Sequence, residues 1–235
     1  MSAATLDHLV VVAASLDEGV TWCERTLGVT PGVGGEHPLM GTHNRLLRID
    51  TPTWPGAYLE IIAINTEATK QESAIAKRWF DMDFAPFMTS IARNGPQLAH
   101  WVARVPDVER AVRQLAQLGI DRGAPVVASR ATPHGELRWR ITIRPDGARL
   151  FDGCLPTLIE WGEVHPVANM AASGIALQEF RLEHPQASLL SSALRSVGLP
   201  SVEARPSKVA GLQVTLQTPR GPVLLTSQAV PPPLP

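Results

Sequence analysis

The chain is expected to be an α+β protein built from two β-α-β-β-β units in tandem, followed by a third, partial one. Three observations lead there. An apolar strand with a histidine near its start occurs twice, as Leu6-Asp7-His8-Leu9-Val10-Val11-Val12 and as Leu98-Ala99-His100-Trp101-Val102-Ala103-Arg104. Each is followed by an amphipathic helix that opens on a polar start signal and closes near a glycine. Each helix is followed by short apolar runs between turn residues, the last carrying a glutamate: Tyr58-Leu59-Glu60-Ile61-Ile62 and Leu158-Ile159-Glu160-Trp161. Superimposing His8 on His100 places Leu16 on Val108 and Val20 on Val112, so strand and helix repeat in step.

The first helix starts at Ser15, an N-cap residue type, with Glu18 three residues on completing a capping box. It ends at Thr26-Leu27-Gly28, where glycine suits a left-handed C-cap. Strands are expected at Asn44–Ile49 and Ala57–Ile64. Residues 65–97 interrupt the repeat. Thr69 to Phe80 is helix-prone and Phe80 to Phe87 is aromatic and acidic, so the segment reads as an inserted helical excursion. The second unit resumes with Asp107 as cap, Arg110 at N3 and a helix ending near Gly119. Its strands follow at Pro125–Ala128, Leu137–Ile143 and Thr157–Trp161. The alternation in Leu137–Ile143 fits a half-buried strand.

The third unit is expected as a strand at Leu177–Leu182, a helix at Ala187–Val197 ending on Gly198, and a hairpin. The hairpin joins Leu212–Leu216 to Val223–Thr226 across Pro219-Arg220-Gly221-Pro222. Gln178 stands where the histidine would be and the last strand has no glutamate, so this unit reads as scaffold. The units are therefore 5–64, the insertion 65–97, 98–166 and 174–228.

Composition narrows the function classes. The 235 residues are 44% hydrophobic and 18% charged with a net charge of −1, ordinary for a globular protein. No basic run points to nucleic acid or an anionic membrane. The two cysteines, Cys23 and Cys154, have no CxxC spacing, which argues against a disulfide framework and for a reducing cytoplasm. No signal segment and no apolar run of about 20 residues is evident. A closed two-fold homodimer is the commonest assembly for such a chain.

Two histidines and two glutamates at matching positions of a repeat are the donor set of an N₂O₂ divalent-metal site. His8, Glu60, His100 and Glu160 are the expected ligands, too far apart in sequence for a local chelating motif. Zn²⁺, Ni²⁺, Co²⁺, Mn²⁺ and Fe²⁺ all suit these donors. Such an ion polarises a carbonyl or stabilises an enediolate, and Glu60 or Glu160 leaving the metal would serve as base. The competing reading is that each glutamate simply alternates outward to solvent. After the turn Gly41-Thr42-His43, Asn44 and Arg45 are candidates to hold a substrate carboxylate. Arg138 and Arg140 share one strand face and make either an anion-binding wall or outward solubilising charge. Trp139 between them, and Trp161, offer an aromatic contact to a ligand or to the core. His37 and His43 read as loop histidines, Gly32-Val33-Gly34-Gly35 as a flexible loop without a phosphate-cradle pattern, and neither cysteine has the context of a nucleophile.

These residues resemble the vicinal oxygen chelate superfamily and, within it, a bacterial glyoxalase-like domain protein. The resemblance is carried by Leu6-Asp7-His8-Leu9-Val10, Gly41-Thr42-His43-Asn44-Arg45-Leu46, Tyr58-Leu59-Glu60, Leu155 to Trp161 and His165-Pro166, over roughly Thr5 to Pro166. It implies paired βαβββ modules with metal ligands at His8, Glu60, His100 and Glu160. It also implies isomerase or lyase chemistry on a small carbonyl, hydroxy-acid or diol compound through a metal-bound enolate. An extradiol-type dioxygenase and a non-catalytic, resistance-type binder belong to the same group. The 65–97 excursion departs from the compact lactoylglutathione lyase and argues against a glutathione adduct as substrate.

Overall fold

The repeat becomes one curled sheet. The computed structural model describes residues 4–67, 77–132 and 135–227. The first unit contains β1 (Thr5–Val12), α1 (Leu16–Leu27), β2 (Gly32–His37), β3 (Thr42–Arg48) and β4 (Tyr58–Ile64). After α2 (Ala85–Asn94) the second contains β5 (Gln97–Arg104), α3 (Val108–Ala116), β6 (Ala124–Thr132), β7 (Gly135–Ile143) and β8 (Thr157–Trp161). The strand order is β2-β3-β4-β1-β5-β8-β7-β6. In each unit the last strand returns parallel to the first, β4 beside β1 and β8 beside β5. The antiparallel pairing of β1 with β5 joins the units side by side within one chain. These inner strands are buried on both faces, which is why they read as nearly unbroken apolar runs.

The expected helix signals work. Ser15 accepts a hydrogen bond from the Glu18 N–H and Gly28 closes α1 at φ 79°. Asp107 accepts from the Arg110 N–H to cap α3. The strand β6 runs four residues beyond its expected end, because it pairs with β7 along its whole length.

The outer face of the sheet carries α1, α3 and the third unit: β9 (Ala176–His184), α4 (Ala187–Ser196), β10 (Ala204–Pro206), β11 (Gly211–Thr218) and β12 (Gly221–Thr226). Its element order repeats the β-α-β-β-β theme, but its strand order is β10-β9-β11-β12. Here the strand after the helix pairs directly with the first strand, and the last lies at the edge. The third unit therefore shares the element order of the other two and not their connectivity. Phe180 of β9 meets Trp101 of β5 edge to face, with ring centroids 4.9 Å apart, at the centre of this outer core.

The inner face is covered by the inserted segment. The helix expected at Thr69–Phe80 falls mostly outside the described residues, and residues 77–80 are not helical. The helix of this region is α2, with Pro86 in its first turn and Gly95 directly after it. Just before it, Trp79, Phe80 and Met82 are buried against Val10, Val12, Ala99 and Val102. Phe80 and Asp81 hold φ of 59° and 61°, an uncommon conformation for residues with a Cβ. Arg149 anchors this turn by donating to Asp81 at 2.8 Å.

Candidate active site

A β-bulge builds the centre of the site. The register of β1 against β5 slips between Leu6 and His8, so Asp7 is the extra residue. Strict alternation would send Asp7 and His8 to opposite faces; the bulge lets them act together. His8 Nδ1 lies 2.7 Å from Asp7 Oδ1. The other oxygen, Oδ2, accepts from Trp161 Nε1 at 3.0 Å and lies 2.9 Å from His165 Nε2. Burial opposes ionisation of Asp7, yet the hydrogen bonds from His165 and His8 outweigh it and hold its carboxyl well below the usual carboxylate range. An ionised Asp7 fixes the His8 tautomer with the proton on Nδ1 and directs Nε2 to the other side.

On that side is Glu60. The parallel register places His8 beside Tyr58 and Val10 beside Glu60, so the carboxylate stands one inward position further along. Glu60 Oε2 is 3.6 Å from His8 Nε2, and Glu60 Oε1 accepts from Asn44 Nδ2 at 2.6 Å. Asn44 is oriented in turn by the Gly35 N–H, which donates to Oδ1 at 2.7 Å. Tyr58 stacks on the His8 ring, centroids 4.6 Å apart. Burial, with Asp7 and Glu60 nearby, pushes the Tyr58 phenol well above its ordinary value and keeps it protonated. His37 Nε2 lies 4.0 Å from Glu60 Oε1. Burial pushes this imidazole down to about 4, Glu60 opposing and Arg130 reinforcing, so it is neutral at pH 7.

His8, His37, Asn44, Tyr58 and Glu60 line a cavity of about 40 Å³, room for a few waters, together with Trp79, Phe80, Trp139 and Trp161. Arg130 of β6 also lines it. The strands β2 and β6 are the two edges of the sheet, yet a Cβ on Gly35 would stand 2.0 Å from Arg130 Nη1. The sheet thus curls until its edges meet, and Gly35 leaves the space that the guanidinium occupies. The run Gly32 to Gly35, expected as a flexible loop, is edge strand with this packing role.

The second unit does not supply the other half of the expected metal site. The register pairs Val102 with Thr157, so Thr157 holds the place that Glu60 holds in the first unit, and Ala99 holds that of Asp7. His100 is fully buried behind the Phe80 ring, with centroids 5.2 Å apart. Its Nδ1 lies 3.0 Å from the Gly153 carbonyl oxygen, and Nε2 accepts from the Thr157 N–H at 3.1 Å. Burial, with the cations Arg122 and Arg149 nearby, pushes this imidazole well below its ordinary value, so it too is neutral. Glu160 is three residues beyond Thr157, and an odd offset along a strand turns a side chain to the opposite face. There it accepts from the Val108 N–H at 2.8 Å, at the start of α3, with Arg140 at 3.6 Å.

Of the four expected ligands, His8 and Glu60 come together, whereas His100 and Glu160 are engaged elsewhere. Among the described residues no three or more histidine, cysteine, aspartate or glutamate side chains are disposed to hold a metal ion. The four-residue donor set does not fit one ion. A test separates the two roles of Glu160. As a helix-start acceptor, Glu160→Ala should cost about 1 kcal/mol of stability and leave turnover within about twofold. Loss of turnover without loss of stability, measured by thermal unfolding beside an activity assay, would reinstate Glu160 at the reacting centre.

Of the expected substrate contacts, Asn44 and Trp139 line the cavity. Arg45 lies on the opposite face of β3 with Leu47. Arg138 is exposed and paired with Glu136, and Arg140 pairs with Glu109 and Glu160. The arginine wall is therefore outward charge. Trp161, the other aromatic candidate, lines the cavity too, whereas Asp7, His37, Tyr58, Arg130 and His165 belong to the site and are not among the sequence candidates. The one local signal among them was Asp7-His8, an acid beside a histidine inside an apolar strand.

A family model described as a glyoxalase-like domain matches residues 6–198. Among solved structures, a hypothetical protein from Staphylococcus aureus aligns with a TM-score of 0.57 at 16% identity, over 95% of this chain and 85% of that one. Methylmalonyl-CoA epimerase from Mycobacterium tuberculosis aligns with a TM-score of 0.38 at 17% identity, over 71% and 92%. A Streptomyces coelicolor methylmalonyl-CoA epimerase variant in complex with 2-nitronate-propionyl-CoA gives 0.42 at 19%, over 70% and 99%. No curated protein matches the chain significantly.

Proposed function

The chain belongs to the glyoxalase-like domain family, with the paired-module fold of the vicinal oxygen chelate superfamily, and from that premise we propose an enzyme that moves a proton at a carbon next to a carbonyl. The reaction class is isomerisation, epimerisation or elimination on a small carbonyl or hydroxy-acid compound. The observation that carries this reading is the buried Asp7–His8–Glu60 array, in which one carboxylate orients an imidazole and the imidazole faces a second carboxylate.

Glu60 is the base. It takes the α-proton, the C–H bond breaks, and the electron pair moves onto the carbonyl oxygen as an enolate. Arg130 is the cation on the cavity wall nearest in role to that developing charge. His8 Nε2 exchanges the proton with Glu60, and its return to the opposite face or to the neighbouring carbon completes an epimerisation or isomerisation with no change in oxidation state. Trp79, Phe80, Trp139 and Trp161 keep bulk water from the enolate. The metal-held enolate implied by the resemblance asks for donors that this centre does not assemble. An extradiol-type centre likewise asks for a second histidine where His100 does not reach.

The test is proton exchange in D₂O, followed by NMR over a panel of 2-oxo and 3-oxo acids and their esters. The wild type should exchange the α-proton of at least one compound, and Glu60→Gln should slow that exchange by roughly 10²–10⁴-fold. Binding without exchange, or exchange unchanged in Glu60→Gln, would overturn the reading and favour a non-catalytic binder.

A further inference from the structure

We infer that the ligand of this site is an amphipathic carboxylate, its head held by Arg130 and Trp79 and its apolar tail lodged in the seam where the two edges of the sheet meet. The inference names a substrate class for the proposed centre and rests on that reading only for the chemistry, not for the binding.

Two observations bear on the head. Arg130 Nε and Trp79 Nε1 are both buried without a hydrogen-bond partner among the described residues, and both residues line the inner cavity. Trp79 is only 9% exposed. Buried donors are almost always satisfied, so two orphans on one small cavity call for an acceptor that arrives with the ligand. A carboxylate suits a guanidinium that Gly35 lets lie flat against the opposite edge strand. The base, Glu60, is already engaged by Asn44 and faces His8, so Arg130 and Glu60 do not neutralise each other within hydrogen-bond distance.

A second cavity bears on the tail. It measures about 310 Å³, at the lower end of the range for small-molecule sites, and lies between the β2–β3 turn and the β6–β7 ribbon. Leu39 and Met40 line it from one edge of the sheet, Val127 and Ile143 from the other. His37, Trp79, Trp139 and Ile141 line both this chamber and the inner cavity, which makes them the waist between the two. Val127 remains 76% exposed at the outer rim, an apolar lip on the way in. A molecule with its head inside and its tail in the seam would satisfy the orphaned donors and cover this apolar wall together. A 2-oxo or 3-oxo acid bearing an alkyl or aryl tail has that shape and presents an acidic C–H to Glu60.

The experiment is a titration of the tryptophan fluorescence of the whole protein with acetate, hexanoate, decanoate and decanol. Affinity should rise by roughly two- to fourfold per methylene from acetate to decanoate. Arg130→Gln should weaken decanoate at least tenfold and leave decanol unchanged. Ala128→Trp, which fills the chamber beside Trp139, should reduce decanoate to the affinity of acetate. Glu60→Gln, which removes a negative charge from the cavity that receives the carboxylate, should bind decanoate at least as tightly as the wild type does, so loss of catalysis and loss of binding are read separately. The chain-length series on the wild type needs no variant to fold: an affinity independent of tail length would overturn the tail site. Equal weakening of decanoate and decanol by Arg130→Gln would overturn the head site.

Discussion

Asp7→Asn is expected to lower the rate of α-proton exchange by roughly 10²–10⁴-fold, the range for losing an oriented acid–base partner. Asp7 carries three donors on two oxygens: His8, Trp161 and His165. An asparagine has one oxygen to offer them and presents an N–H where the second stood. His8 then loses both the charge that holds its proton on Nδ1 and the constraint that aims Nε2 at Glu60. Because Asp7 is fully buried, the variant should also lose about 3 kcal/mol of stability. Exchange rates and thermal unfolding measured on the same preparation check both effects. A rate within threefold of wild type would mean that His8 does not depend on Asp7 for its orientation, and the relay would have to be abandoned.

The second large effect is acid lability. Stability should fall steeply between about pH 6.5 and pH 4. The His37 imidazole, ordinarily near 6.5, is pushed down to about 4 in the folded protein, chiefly by burial. In that window the unfolded chain holds a proton that the folded chain does not, so stability is complete above 6.5 and lost on going down. This one group accounts for roughly 3 kcal/mol. His100 acts with the same sign, its imidazole held well below its ordinary value by burial, with Arg122 and Arg149 adding to it. Asp7 acts only below this window: its depressed carboxyl contributes in full above the ordinary carboxylate value, and that contribution is lost as the pH falls further. Unfolding midpoints measured from pH 7 to pH 4 should show the decline, and His37→Gln should make it shallower by about one proton. A profile of His37→Gln parallel to that of the wild type would show that His37 is not held neutral.

The two paired units, their capped helices and the first half of the site were legible as pattern. Ser15, Asp107 and Gly28 act within a few residues of themselves, so a helix end can be read from its own neighbourhood. The apolar runs of β1, β4 and β5 announce burial on both faces, and His8 and Glu60 stand out as polar interruptions of them. Their pairing follows once the last strand returns beside the first.

Folding decided the rest, for a reason of geometry. Glu60 and Glu160 look equivalent as letters in apolar strands. Equivalence on a sheet is set by register, a relation between two segments that neither contains alone. Three residues of slip place Thr157 in the inward position and Glu160 at the start of α3, and with that change the symmetric four-ligand centre gives way to a one-sided one. The bulge that sets Asp7 beside His8 depends on how β1 meets β5. Arg130 reaches the cavity because the sheet curls far enough for β6 to meet β2, and His165 reaches Asp7 because the chain leaving β8 folds back over β1. Local chemistry determined which residues could serve; the closure of the sheet determined which of them face one another.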